Sequence, residues 1–324
     1  MFSEDRRLDL DGLAPISMGL FRADPEAFAA TLRRDFEATG FAVISDHGLD
    51  QPVIGAGAAA AKAFFALPDE EKRHWHVAGQ AGARGYTPFG VETAKGHRRP
   101  DLKEFWHIGR DLPEGHDYRA VMPENLWPAR PPGFREALHD LYEGFDALGR
   151  ELLEAVALGL RLPRNWFADK TALGDSILRL AHYPPVGPEA SGVRAGAHED
   201  INVITLLLGA EEAGLEILTR QGRWLPVNPP PGTLVVNVGD MLQRLTNQVL
   251  PSTTHRVVNP PLERRGVARL SMPFFVHFQP DFEIRTLPSC IGAGRPDRDP
   301  RPITAHAYLQ QRLEEIGLKR QPAA

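Results

Sequence analysis

The sequence predicts a mainly β fold with flanking helices: a sandwich or jelly-roll core preceded by a helical N-terminal portion. Apolar residues recur at helical spacing through much of the first half. Short β-type runs bounded by Gly, Pro and Asn crowd the second half. Helical spacing then returns near the C-terminus.

The elements follow in order. Pro25 to Thr39 carries Phe28, Leu32 and Phe36 on one face, and Gly40 stops it. Phe41 to Ser45 (FAVIS) is a short strand before a turn at His47-Gly48, and Gln51 to Leu67 is helical again, closed by Pro68-Asp69-Glu70. Residues 79 to 132 are rich in Gly, Pro and charge and read as loops with short strands. Phe134 to Leu160 is the longest helix, striped by Leu138, Leu141, Phe145, Leu148, Leu152 and Val156. Strands are expected at 177–180, 203–208, 233–238, 256–258 and 270–278, and a C-terminal helix over His306 to Ile316. With no internal repeat, low-complexity tract or linker, residues 1–324 read as one domain. Its helical portion covers about 1–170 and its jelly-roll core about 171–285, followed by the C-terminal helix.

A chain of 324 residues can bury a substantial core, and 42% hydrophobic with 24% charged residues is ordinary for a globular protein. The formal charge of −5 favours neither nucleic acid nor acidic membranes as partners. One cysteine, Cys290, excludes an internal disulfide and a thiolate-rich zinc site. The opening MFSEDRRLDLDGL lacks the apolar core of a signal peptide, and no apolar run approaches bilayer length. A cytoplasmic protein is the expectation.

His198 and Asp200 lie in AHEDINVITLLL, at i and i+2 of a β-type run, where both side chains share a face. His255, in STTHRVVNP, begins a later strand that the sheet can bring opposite. Two imidazoles and one carboxylate suit an iron(II) that keeps open coordination positions. Alone they are weak evidence in a chain of 12 histidines, where chance is the commoner explanation, and a zinc hydrolase stays open as well. Arg269 and Ser271 in ARLSMPFF sharpen the reading, being a planar guanidinium and a hydroxyl at strand spacing in an otherwise apolar segment. An inward charge there calls for an anionic partner, such as a bound carboxylate.

The order His-x-Asp, His, Arg-x-Ser resembles the isopenicillin N synthase-like branch of the iron(II)/2-oxoglutarate-dependent dioxygenases. The likeness spans nearly the whole chain, through GFAVISDHGL, FFALPDEEK, RGYTPFG, DLKEFWHIG, HYPP and PPGTLVVNVGDMLQRLTN. It implies a double-stranded β-helix (jelly-roll) core. It further implies that His198, Asp200 and His255 ligate iron, that Arg269 and Ser271 bind the distal carboxylate of 2-oxoglutarate, and that Tyr183 assists them. Many members carry Asn-Tyr-Tyr-Pro-Pro where this chain has Ala181-His182-Tyr183-Pro184-Pro185, so an asparagine of that pattern is missing. The implied activity is oxidation, most often hydroxylation, of a small organic molecule by O2. Iron(II) is the cofactor, and 2-oxoglutarate is decarboxylated to succinate.

Two alternatives stand beside it. An iron(II) oxidase that needs no 2-oxoglutarate would hold its substrate's own carboxylate in the same clamp. A non-catalytic jelly-roll sensor would keep the clamp, although it has no need of the triad. By position, Tyr86, Phe89, Phe275 and His277 are candidates to line a substrate pocket, with core or surface as their ordinary roles. Arg84, Lys103 and Glu104 read as solvated charges, Glu104 with a structural ion pair.

Overall fold

A computed structural model describes residues 13–80, 82–93, 100–187, 192–208 and 214–315. The opening segment before Leu13, and Ile316 at the expected end of the last helix, lie outside them. The helices are α1 (Met18–Ala23), α2 (Pro25–Thr39), α3 (Gln51–Phe65), α4 (Asp69–Arg73), α5 (Phe134–Gly159), α6 (Ala168–Thr171), α7 (Asp240–Leu245) and α8 (Ala305–Glu315). The first strands are β1 (Ile16–Ser17), β2 (Phe41–Ser45), β3 (Gly85–Thr87), β4 (Glu104–Gly109), β5 (Ile177–Tyr183), β6 (Ala195–His198) and β7 (Ile204–Leu208). They are followed by β8 (Leu215–Leu218), β9 (Trp224–Pro226), β10 (Leu234–Val238), β11 (His255–Val257), β12 (Arg269–Ser271), β13 (Pro273–Val276), β14 (Glu283–Ile284) and β15 (Ile303–Thr304).

Local chemistry fixes the ends of α2. Asp24 caps it by accepting from the Ala27 amide at 3.1 Å, and Pro25 occupies the first turn, where no amide is needed. Gly40 closes it at φ 74°, and a Cβ there would lie 2.5 Å from the Pro251 carbonyl oxygen, so glycine alone fits.

Nine strands form the large sheet, in the order β1-β2-β10-β7-β13-β5-β4-β3, with β12 paired to β5; β6-β11-β8-β9 form the small one. The alternation of side chains along the large sheet assigns its two faces. Trp106, Ile108, Leu178, Leu180, Phe274 and Leu206 belong to the main core with the stripe of α5, where Phe145 stacks on Phe274 at 5.5 Å. The residues between them point the other way: His107 pairs with Arg179, Tyr183 with Arg269, Ala181 with Ser271, Phe275 with Thr205, and Thr205 with Asn237. That face meets the small sheet, where Ala181 and Tyr183 pack with Ala195 and Val257, and Phe41 and Val235 with Leu215, Ile217 and Val227. These polar residues thus sit between two sheets because a period of two puts them there.

Truncating a residue of the opposite face should test the packing. Phe274→Ala, at a fully buried position, is expected to lower unfolding free energy by about 3–5 kcal/mol, measured by urea denaturation.

The short strands expected within 79–132 are β3 and β4, and both belong to the large sheet. The structure corrects several expectations. The stretch expected as one strand over 270–278 is two, β12 and β13, pairing with different parts of β5. A short helix, α7, separates β10 from the distal histidine. Arg84, Lys103 and Glu104 are buried, not solvated. Arg84 pairs with Asp175 at 2.8 Å. Glu104 has the expected ion pair, to Lys72 at 2.7 Å, and also takes the Tyr86 hydroxyl and the His182 ring.

Candidate active site

His198 ends β6 and His255 opens β11, and the two are register partners in the small sheet. Their ring centroids are 4.4 Å apart. Asp200 lies just beyond the end of β6, so the expected strand spacing holds only for His198; the turn after the strand carries Asp200 inward. The amide of Asp240, at the start of α7, anchors that turn by donating to the Asp200 carbonyl at 2.8 Å.

Hydrogen bonds aim each ligand atom. His198 Nδ1 meets the Gly196 carbonyl at 2.8 Å and His255 Nδ1 the Thr253 carbonyl at 3.1 Å, so both protons sit on Nδ1 and each Nε2 presents a lone pair. Asp200 Oδ2 accepts from the Thr205 hydroxyl at 2.6 Å and from Asn237 Nδ2 at 2.8 Å. Asn202 donates to Thr205 Oγ1 at 2.8 Å, which turns the hydroxyl proton toward the carboxylate. Asp200 Oδ1 is left facing the two Nε2 atoms, at 3.9 Å from His198 and 3.8 Å from His255. The three ligand atoms lie within 4.8 Å of one another, the one group of this kind among the described residues.

The electrostatics suit a divalent cation. Burial and the neighbouring His255 bring His198 down to about 4, keeping its imidazole neutral. Burial would raise the Asp200 carboxyl, but the two imidazoles, Thr205 and Asn237 outweigh it and hold Asp200 ionised. Two neutral nitrogens and one carboxylate oxygen form a donor set that fits iron(II) with exchangeable positions.

A cavity of about 660 Å³ opens on this cluster. Apolar lining comes from Val121, Ile177, Phe275, Leu309 and Leu313, the last two from α8; Glu92, Lys103, Asp175, Arg179 and His277 make it polar elsewhere. Of the pocket candidates, Phe275 and His277 line it. Tyr86 is core, packed on Phe64, and Phe89 is 44% exposed and outside the lining. Arg269, Ser271 and Tyr183 also lie outside it. All three are buried together on the same sheet face, with the guanidinium 5.0 Å from the centre of the Tyr183 ring.

Sequence reasoning missed Thr205, Asn237, Arg179 and Glu92. The first two were detectable in principle, since a lone Thr in VITLLL and a lone Asn in LVVNV are polar groups that a buried strand must satisfy.

The chain matches the family model described as the 2OG-Fe(II) oxygenase superfamily over residues 174–278. Residues 10–130 match that of the N-terminal region of non-haem dioxygenases in morphine synthesis. It is 35% identical over 290 residues to the 2-oxoglutarate-Fe(II) type oxidoreductase hxnY of Emericella nidulans, covering 86% of this chain and 82% of that one. The chain is an iron(II)/2-oxoglutarate-dependent dioxygenase of the isopenicillin N synthase-like family. A 2OG-Fe(II) oxygenase family protein from Caulobacter crescentus superposes on the dioxygenase with TM-score 0.88 at 58% identity, covering 94% of this chain and 98% of the other. A full-length Neurospora crassa protein solved in complex with alpha-KG superposes with TM-score 0.83 at 30% identity, covering 96% and 99%. The dioxygenase therefore has the jelly-roll fold, uses iron(II) and 2-oxoglutarate, and oxidises a small molecule. No helix among its described residues is long and apolar enough to cross a membrane.

The buried histidines make the stability of the apoprotein pH-dependent. Burial lowers His47, His198 and His277, and His107 well below the ordinary histidine value of 6.5. Below pH 6.5 the unfolded chain takes up protons that the folded one refuses, so stability is full above that pH and is lost as pH falls toward the folded values. Asp240, raised to about 6 chiefly by burial, and Asp35, also raised by burial, work the opposite way, against four histidines. Urea midpoints of the apoprotein should therefore fall from pH 7 to pH 5.

Proposed function

We propose that His198, Asp200 and His255 hold the iron(II), and that Arg269, Ser271 and Tyr183 receive the distal carboxylate of 2-oxoglutarate. In this reading a small polar molecule, hydroxylated in the cavity beside the metal, is the primary substrate. The orientation of Asp200 carries the metal assignment: Thr205 and Asn237 occupy one carboxylate oxygen and leave the other to complete a three-atom face with the two Nε2 atoms. For the clamp, the support is a buried Arg-x-Ser pair on β12 opposite Tyr183 and Ala181, on the sheet face that carries Thr205 and Asn237.

When bound, the metal and keto acid supply dioxygen activation coupled to loss of carbon dioxide. The residues of the chain do the rest. The Nδ1 hydrogen bonds keep both imidazoles in the ligating tautomer, and the buried guanidinium offsets the charge of a dianion. Phe275, Ile177, Leu309 and Leu313 keep the substrate side of the cavity largely apolar, which limits water at the reactive centre.

Among its relatives are a protein named proline hydroxylase buaE from Petromyces alliaceus, 35% identical over 303 residues, and the Neurospora crassa protein, which has also been solved with thymine. Both point to compact polar ring molecules, a size the cavity accommodates. Anaerobic addition of iron(II) and 2-oxoglutarate should produce a visible charge-transfer band in the wild type. Succinate release above the uncoupled background should then pick out the substrate from a panel of amino acids and nucleobases. A chain that binds iron(II) and 2-oxoglutarate but accelerates with no small polar molecule would overturn the substrate reading.

A further inference from the structure

Lys103 stands one residue before β4, where Glu104 is the register partner of His182 on β5. Continuing that antiparallel register by one step brings Lys103 opposite Tyr183, and Tyr183 is in turn the partner of Arg269 on β12. Laterally adjacent residues of an antiparallel sheet project from the same face. Lys103, Tyr183 and Arg269 thus form one row of an ammonium, a phenol and a guanidinium across three strands, spanning about 10 Å at ordinary strand spacing.

Register and hydrogen bonding place the ammonium between the two halves of the site. In register it stands beside Tyr183 at the clamp, and through Asp101 it is tied to Gly196 on the strand that bears His198. Lys103 lines the cavity as well, which Tyr183 and Arg269 do not. Although 95% of its surface is buried, the lysine is ionised: burial opposes the charge, but the Glu92 and Asp101 carboxylates outweigh it. Its Nζ lies 2.9 Å from Asp101 Oδ2 and 3.2 Å from Glu92 Oε2. An ammonium carries three protons, and among the described residues these two carboxylates are its ion-pair partners. A buried cation that lines a cavity beside a metal cluster is a site for an anionic oxygen.

We propose that Lys103 binds the carboxylate of the keto-acid end of 2-oxoglutarate, making the cosubstrate site a two-ended clamp with Arg269 at the distal end and Lys103 at the metal end. This rests on the assignment of Arg269 and the triad given above. Asp101 and Glu92 act as positioning residues: they fix the ammonium, and Asp101 Oδ1 also accepts from the Gly196 amide at 3.0 Å, tying Lys103 to the strand that bears His198.

Two ligands separate the ends. 2-Oxopentanoate keeps the keto-acid head of 2-oxoglutarate but lacks its distal carboxylate. Each is titrated anaerobically into the iron(II)-loaded protein and followed by calorimetry and the charge-transfer band, with iron(II) affinity and Tm measured alongside. Lys103→Met is expected to weaken both ligands by the same factor, about ten-fold or more, at unchanged iron(II) affinity. Lys103→Gln, which can still hydrogen-bond Asp101, should show the same loss, and Lys103→Arg should recover part of it. Arg269→Met should weaken 2-oxoglutarate and leave 2-oxopentanoate as it was. If Lys103→Gln binds both ligands as the wild type does, or loses 2-oxoglutarate alone, the two-ended clamp is wrong. A loss of iron(II) affinity and Tm without selective loss of the keto acids would overturn it in favour of a structural role. Should Arg269→Met instead bind 2-oxoglutarate normally, the clamp assignment fails at its distal end, a result distinct from every Lys103 outcome.

Discussion

Asp200→Ala is expected to abolish succinate formation and to weaken iron(II) binding by more than the roughly 100-fold that loss of an outer hydrogen-bond partner produces. The size follows from the arrangement around the carboxylate. Oδ1 is the one anionic ligand atom of the cluster, and an imidazole that ligates a metal brings no charge against a divalent cation. Removing it also strands the Thr205 hydroxyl and the Asn237 amide, both buried and both committed to Oδ2. Asp200→Asn separates the two effects, because it keeps a carbonyl oxygen and the shape but loses the charge. Chelator competition should then rank iron(II) affinity as wild type, Asn, Ala. Far-ultraviolet circular dichroism should be unchanged in both variants, since the cluster lies at a strand end and not within the α5 core. Succinate formation by Asp200→Ala at wild-type rate would remove Asp200 from the site.

Legibility in the sequence followed the strength of local signals. The helix over Pro25–Thr39 and the strand over Phe41–Ser45 were found to the residue, because a cap, a proline and a glycine mark their ends. Short strands are expected within 79–132, but the bounds of β4 are not legible, since EFWHIG reads as a mixed run and its burial on both faces comes from neighbours distant in sequence. The same cause misled the reading of Arg84, Lys103 and Glu104. A charge is solvated by default, and only tertiary structure supplied Asp175, Glu92 and Lys72 as partners. His198, Asp200, His255, Arg269 and Ser271 were visible as a pattern. What the pattern leaves unassigned are the roles of Thr205, Asn237 and Lys103, which come from pairings made in the folded sheet.

The largest effect at the other end of the site is expected from Arg269→Met, which should weaken 2-oxoglutarate binding by roughly 10²–10³-fold, read by calorimetry on the iron(II)-loaded protein. Arg269 is 97% buried, in a strand flanked by Leu270 and Met272, against the face of Tyr183. A carboxylate that enters such a place leaves water, and only a charge-assisted, planar pairing offsets that loss. Methionine keeps the length and apolar bulk of the side chain while removing the fork, so the core around Tyr183, Ala195 and Val257 should stay packed. Arg269→Lys tests geometry apart from charge. A point charge on a flexible stem cannot make two parallel hydrogen bonds, so affinity should return only in part. Ser271→Ala, losing one neutral hydroxyl donor, should cost about ten-fold or less. The order wild type, Ser271→Ala, Arg269→Lys, Arg269→Met in decreasing affinity is what a bidentate carboxylate site requires; an equal loss in Arg269→Lys and Ser271→Ala would argue that charge alone holds the cosubstrate.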